Sequence, residues 1–158
     1  MTGIITPIPA RKECRERGHA VVELAFVWSF LWLMITGVYQ FGNAFFIYSR
    51  LEAAASNAAM LGSRLNYDFS DSGASLTTKI KNMAVYGDPA GGTSPLAPNL
   101  TTANVDVNLV HLTGSSFPAY VTVTIKNYTI TNIFRNITLG DKPRVTVAYA
   151  GNIICSGC

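Results

Sequence analysis

Residues able to do chemistry are few in this chain, and they lie far apart. His111 is one of 2 histidines, and Ser115 and Ser116 follow it closely. A nucleophile needs a base within hydrogen-bond reach, so this trio is the only candidate for a secreted hydrolase site. The plainer reading of His111 is a surface histidine at the end of a strand. Cys155 and Cys158 flank Ser156-Gly157, a spacing that allows a small disulfide loop or a bridge to another chain. The redox motif with that spacing opens a helix, and no helical pattern follows here. A zinc site takes about four ligands, and two cysteines with one distant histidine fall short. Asp68, Asp71 and Asp88 lie in turn-rich stretches without the twelve-residue pattern of a calcium loop. No glycine-rich phosphate loop is present. Asn99, Asn127 and Asn136 each begin an Asn-x-Thr triplet, a short match to glycosylation acceptors. The expectation is a protein with no catalysis of its own, no cofactor, no metal and no small-molecule substrate.

One charged residue is harder to set aside. Glu23 stands at the mouth of the run Leu24–Ser49, in which 26 successive residues carry no charge. About 20 apolar residues suffice to cross a hydrocarbon core of roughly 30 Å. Arg11, Lys12, Arg15 and Arg17 precede the run, and basic flanks stay cytoplasmic. The predicted orientation puts the N-terminus inside and residues from about 50 onward outside. Trp28 and Trp32, and Tyr39 and Tyr48, are candidates for the two interfaces. Glu23 itself allows two readings. It caps its own helix at headgroup level, where backbone N–H groups lack partners. Alternatively it meets a cation. If the chain is cut after Gly18, His19 gains a free amine about one turn from Glu23. A neighbouring subunit's amine then neutralises a carboxylate that is costly in an apolar bundle.

Charge excludes another class of partner. The net charge is +3, of which a leader over residues 1–18 holds two. What remains gives no basic footprint for nucleic acid, whose binding rests on phosphate neutralisation. Residues 1–10, with Pro7 and Pro9, read as a disordered start. The apolar run is too long for an ordinary secretory signal. Cys14 falls in the cytoplasmic leader.

The helical pattern continues past the membrane segment. Residues 49–65 are rich in alanine, the strongest helix former. Leu51, Ala55, Ala58, Gly62 and Leu65 follow helical spacing. Ala54, Ala58 and Gly62, at four-residue intervals, form a packing face that lets another backbone approach closely, either the chain's own sheet or a neighbour's helix. A second helix is expected over Ser75–Tyr86, capped by Ser75 and closed by Gly87. From Thr102 the period becomes two. Strands are expected at Val105–Leu109, Val121–Ile125 and Val145–Tyr149, with a bulge near Asn127 where the parity shifts. The fold class is therefore α+β: a long N-terminal transmembrane helix running into a small head with a second helix and a three- to four-stranded antiparallel sheet. Three segments follow: a basic leader over 1–18, a long helix over 19–65 whose membrane half spans about 24–48, and a head over 66–158.

Gly18 followed by Glu23, behind a basic leader and before a long apolar helix, resembles the processing site of type IV pilin-like proteins. More narrowly, Arg17-Gly18 with Val22-Glu23-Leu24-Ala25, Tyr39-Gln40-Phe41-Gly42, Ala54-Ala55, Ala58-Ala59 and Arg64 resembles the TadE-like family, minor pilins or pseudopilins of the tight-adherence pilus. The resemblance covers residues 17 to about 65. It implies cleavage between Gly18 and His19 by a prepilin peptidase, and subunit registration through Glu23. It also implies other pilin or pseudopilin subunits and pilus assembly proteins as partners. The implied location is a bacterial inner membrane, crossed once, with the head periplasmic or extracellular and available to a pilus. The alternative is an unprocessed single-pass protein whose head binds envelope partners or acts as an adhesin.

Overall fold

The computed structural model describes residues 13–115, 117–132, 135–151 and 153–154. The expected disordered start, Ser116, and the Cys155–Cys158 pair lie outside the described residues. The order of elements is α1 (Glu13–Arg64), β1 (Tyr67–Asp68), α2 (Ala74–Tyr86), a short 3-10 turn (Thr102–Asn104), β2 (Val105–His111), β3 (Pro118–Ile125), β4 (Tyr128–Ile130), β5 (Ile137–Leu139), β6 (Arg144–Ala148) and β7 (Ile153–Ile154). The fold is α+β, with the long apolar N-terminal helix, the second helix and antiparallel sheets all present. The chain divides into two compact units, Met1–Phe41 and Gly42–Cys158.

In the first unit every residue from Gly18 to Ile35 is exposed. The side chains are those of an interior: Phe26 is 74% accessible, Trp28 57% and Phe41 77%. The polar groups are satisfied inside the helix. Ser29 Oγ donates to the Ala25 carbonyl at 2.8 Å and Thr36 Oγ1 to that of Trp32 at 2.7 Å, which is how hydroxyls are accommodated where water is absent.

In the second unit α1 buries one face. Leu51, Ala55, Ala58 and Ala59 join a single core with Leu76, Ile80, Ala84 and Val85 of α2 and with Val105, Val121, Val123 and Ile125 of the sheet. The main sheet has the order β2-β3-β6, antiparallel throughout. Val121 pairs with Leu109 on one side and Val147 on the other. β3 is the central strand, and all its residues from Val121 to Ile125 are buried. The buried Thr122 hydroxyl therefore needs a partner: its Oγ1 shares a hydrogen bond with Thr146 Oγ1 at 2.9 Å.

Three expectations are corrected. The parity shift near Asn127 is not a bulge. Asn127 takes φ +53°, which ends β3 and sends the chain into β4, paired with β5 in a separate two-stranded ribbon. A register irregularity does occur elsewhere, at Val110/His111. Ser75 does not cap α2. Gly73 is the cap residue, in the left-handed region, and the orphan N–H groups of Gly73 and Ser75 go to the Asp71 carboxylate at 2.9 and 3.0 Å. Finally, Tyr149 lies just past β6. Its hydroxyl donates to the Leu65 carbonyl at 2.7 Å, tying the strand's end to the chain that leaves α1. β1 and β7 add a parallel pair too short for periodicity to reveal.

Candidate functional site

Gly18, His19 and Glu23 all stand exposed on the first turns of the apolar stretch of α1. His19 Nε2 lies 3.8 Å from Glu23 Oε1. The two are one turn apart, as helical geometry places residues at i and i+4. A charge at residue 19 therefore reaches the Glu23 carboxylate within one chain, through the imidazole when it is protonated. Nothing in the packing asks for glycine at position 18: a Cβ built there meets no atom within 4 Å. The same holds at Gly37 and Gly42. A glycine inside a helix costs about 1 kcal/mol relative to alanine, so this chain's own fold does not explain the residue.

Gly62 is the opposite case. A Cβ there would lie 2.5 Å from Ile80 Cδ1 and 3.3 Å from Val121 Cγ1. Ala54 and Ala58 are likewise buried, at 3% and 0% accessibility. At Gly62 the close approach is made to Ile80 of α2 and Val121 of the sheet of the same chain.

The remaining chemically capable residues are dispersed. His111 ends β2, exposed, with its ring edge on Tyr67 at 6.1 Å between centroids. Ser115 Oγ donates to the Phe117 carbonyl at 3.1 Å rather than to an imidazole. Asp68, Asp71 and Asp88 each accept backbone N–H bonds from the next few residues, so all three act as turn formers. The Asp71 carboxyl is held below its ordinary 3.8 chiefly by the Ser75 N–H bond, then by the Ser75 hydroxyl. Lys126 is raised by its hydrogen bond to Asp106, 2.7 Å away on the sheet's open face. Among the described residues no group of three or more His, Cys, Asp or Glu could hold a metal ion.

One cluster escaped the sequence reading. Asn99, Asn104, Asn127, Tyr128, Thr129 and Thr131 line an open surface cavity of about 240 Å³. Its only signal in the sequence was the recurrence of Asn at strand and loop ends, where this residue tolerates the left-handed region.

The exposed apolar half of α1, with Gly18 and Glu23 at its head, is the part of the molecule left without an intramolecular purpose. Residues 18–60 match the TadE-like protein family. The similarity to that family is confined to this stretch. No curated protein and no solved structure matches the chain. The TadE-like stretch contains the whole exposed apolar surface of α1 and the beginning of its buried face. The family is a structural, pilus-associated, pilin-like one. The helix that carries the match is the one long and apolar enough to cross a membrane among the described residues, and it fits a single-pass anchor.

Proposed function

We propose that this protein is a structural subunit of a tight-adherence pilus system. In this reading it is cut after Gly18 by a prepilin peptidase, anchored by residues of about 24–48 in a bacterial inner membrane, and carries its head outside. Glu23 registers each subunit by meeting the amine that cleavage creates at His19 of a neighbour. Other pilin or pseudopilin subunits and the pilus assembly proteins are the partners, and no catalysis is involved.

The observation that supports this most is the contrast along one helix. Twenty-odd residues carry interior side chains with no interior to occupy, behind a glycine that the fold does not require. Lipid satisfies that surface first and neighbouring helices satisfy it on assembly. Glu23 explains why a charge is kept at the edge of such a surface. An unpaired carboxylate in lipid is penalised by a few kcal/mol on insertion scales, and a partner amine removes the penalty.

The test is the mass of the native N-terminus, measured on protein extracted from membranes. The reading expects His19 as the first residue and full-length chain when Gly18 is replaced. An intact leader on protein that still assembles overturns it and leaves the unprocessed single-pass anchor. Glu23→Ala is expected to be processed yet to fail in assembly. If that variant assembles normally, the charge-pairing step is wrong even where cleavage is right.

A further inference from the structure

We propose that the cavity bounded by Asn99, Asn104, Asn127, Tyr128, Thr129 and Thr131 binds a neutral sugar ring. Its volume is about 240 Å³, below the 300–1,000 Å³ usual for drug-sized ligands, which suits a single small ring. Among the described residues no charged one lines it. The exposed amides of Asn99 and Asn127 each present a carbonyl acceptor beside an NH₂ donor. Neighbouring hydroxyls of a sugar ring, which both donate and accept, are its complement.

The walls are fixed before any ligand arrives. Asn104 is half-buried and held in place on both sides of its amide. Its Oδ1 accepts from the Thr101 N–H at 3.2 Å and from Thr101 Oγ1 at 2.7 Å, and its Nδ2 donates to the carbonyls of Lys126 at 3.2 Å and Asn127 at 3.3 Å. Tyr128, buried, donates its hydroxyl to the Pro98 carbonyl at 2.7 Å, which fastens the Asn99 side of the rim to β4. Burial raises the Tyr128 phenol above its ordinary value, so it stays a donor at neutral pH. A rigid rim matters because ordering costs otherwise consume the little binding energy a small ligand offers.

The rim also holds unusual backbone. Asn99 and Asn127 adopt φ +61° and +53°, two of the three non-glycine residues at positive φ among the described residues. Such conformations persist where the surroundings over-determine them, and they cluster at ligand clamps. Asn99, Asn127 and Thr131 are exposed, so their amides and hydroxyl are open to a ligand. Lys126, next in the chain to Asn127, has its Nζ on Asp106 at 2.7 Å, so an acidic sugar finds no ready counter-charge. The inference is independent of the pilus reading, since it rests on the head alone.

Saturation-transfer NMR on the full-length chain tests it, in a detergent without a sugar headgroup. The probes are methyl α-D-mannopyranoside, methyl β-D-galactopyranoside and methyl β-D-glucopyranoside, with N-acetylneuraminic acid as the acidic control. At least one neutral glycoside is expected to show saturable transfer, with none to the acidic control. Dextran added as competitor separates recognition of a polymer from recognition of a free ring. The double variant Asn99→Gly with Asn127→Gly removes both amides while keeping a residue suited to positive φ. It is expected to weaken binding by at least about tenfold at an unchanged melting temperature. Thr131→Val, which keeps the shape and deletes a hydroxyl, gives a second reading should the double variant melt early, and is expected to weaken binding as well. Absence of binding by all three neutral glycosides overturns the proposal. So does undiminished binding in Thr131→Val together with the double variant.

Discussion

Residues 18–41 and 42–64 are consecutive stretches of one helix, and they obey opposite rules. In the first, large apolar side chains face outward and the glycines at 18 and 37 touch nothing. In the second, from Leu51 on, small side chains face inward, and at Gly62 Ile80 fills the space where a Cβ would be. Helix propensity does not distinguish the two. What distinguishes them is which surface each was selected to meet. The second stretch finds its surface within the chain. The first does not, and a large unpartnered apolar surface marks a membrane or an interaction site.

The strongest test of this contrast replaces the same residue type in each stretch. Leu51 is fully buried and Leu33 is 63% accessible. Leu51→Ala is expected to cost the head about 2–5 kcal/mol, the usual range for a buried leucine. Leu33→Ala is expected to leave head stability unchanged. Hydrogen exchange of the β3 amides reads the head by itself, because local stability differs along a chain. Equal loss of protection in both variants would erase the distinction between the two halves.

A second pair sharpens the comparison at the glycines. Gly62→Val forces two extra methyl groups against Ile80 and Val121, and overpacking of this kind costs about 1–3 kcal/mol. Gly37→Ala meets open space and is expected to leave the head untouched, with a gain in helix propensity of up to about 1 kcal/mol. The same β3 amides serve as the readout. If Gly37→Ala abolishes assembly while leaving the helix intact, the close approach at residue 37 is made to another chain.

These pairs also show what could be read in advance. The long helix was legible because its pattern is sustained over many turns. Ala54, Ala58 and Gly62 at four-residue spacing marked a face that permits close packing, and left open whether the chain's own sheet or a neighbour's helix meets it. The strands β2, β3 and β6 announced themselves by alternation of Val, Leu and Ile with Thr and Asn. What escaped depends on single residues or on distant partners. The left-handed conformation of Asn127 turned an expected bulge into a separate ribbon. β1 and β7 are two residues each and pair across most of the chain. Of the candidate site, the Gly18-to-Glu23 spacing was plain. The asparagine cavity was not, because its members come from two segments, 99–104 and 127–131, that only the fold brings together.

A smaller effect is expected where the end of α1 meets the sheet. Tyr149→Phe removes the hydroxyl that donates to the Leu65 carbonyl at 2.7 Å. A hydrogen bond of this kind is worth about 1 kcal/mol net. The loss should appear in the thermal melt of the head and in exchange near β6, and leave residues 18–41 unaffected. Were the exposed stretch to change its protection as well, the two halves would be coupled more tightly than their separate packing implies.

The finest distinction concerns pH and lies wholly within the head. The Asp71 carboxylate holds the first turn of α2 through the N–H groups of Gly73 and Ser75, and an anion is favoured at a helix N-terminus. Its pKa is lowered from 3.8 on folding. A depressed carboxyl stabilises the folded state fully above its unfolded value, and this contribution is lost as pH falls through the folded value. The expectation is therefore that Asp71→Ala melts below the unaltered protein at neutral pH, and that the two melting curves converge as the pH drops past 3.8. Ser75→Ala keeps the backbone donor that supplies most of the effect, so its penalty should be the smaller. If Ser75→Ala costs as much as Asp71→Ala, the hydroxyl caps the helix after all, and the carboxylate is only a surface charge beside it.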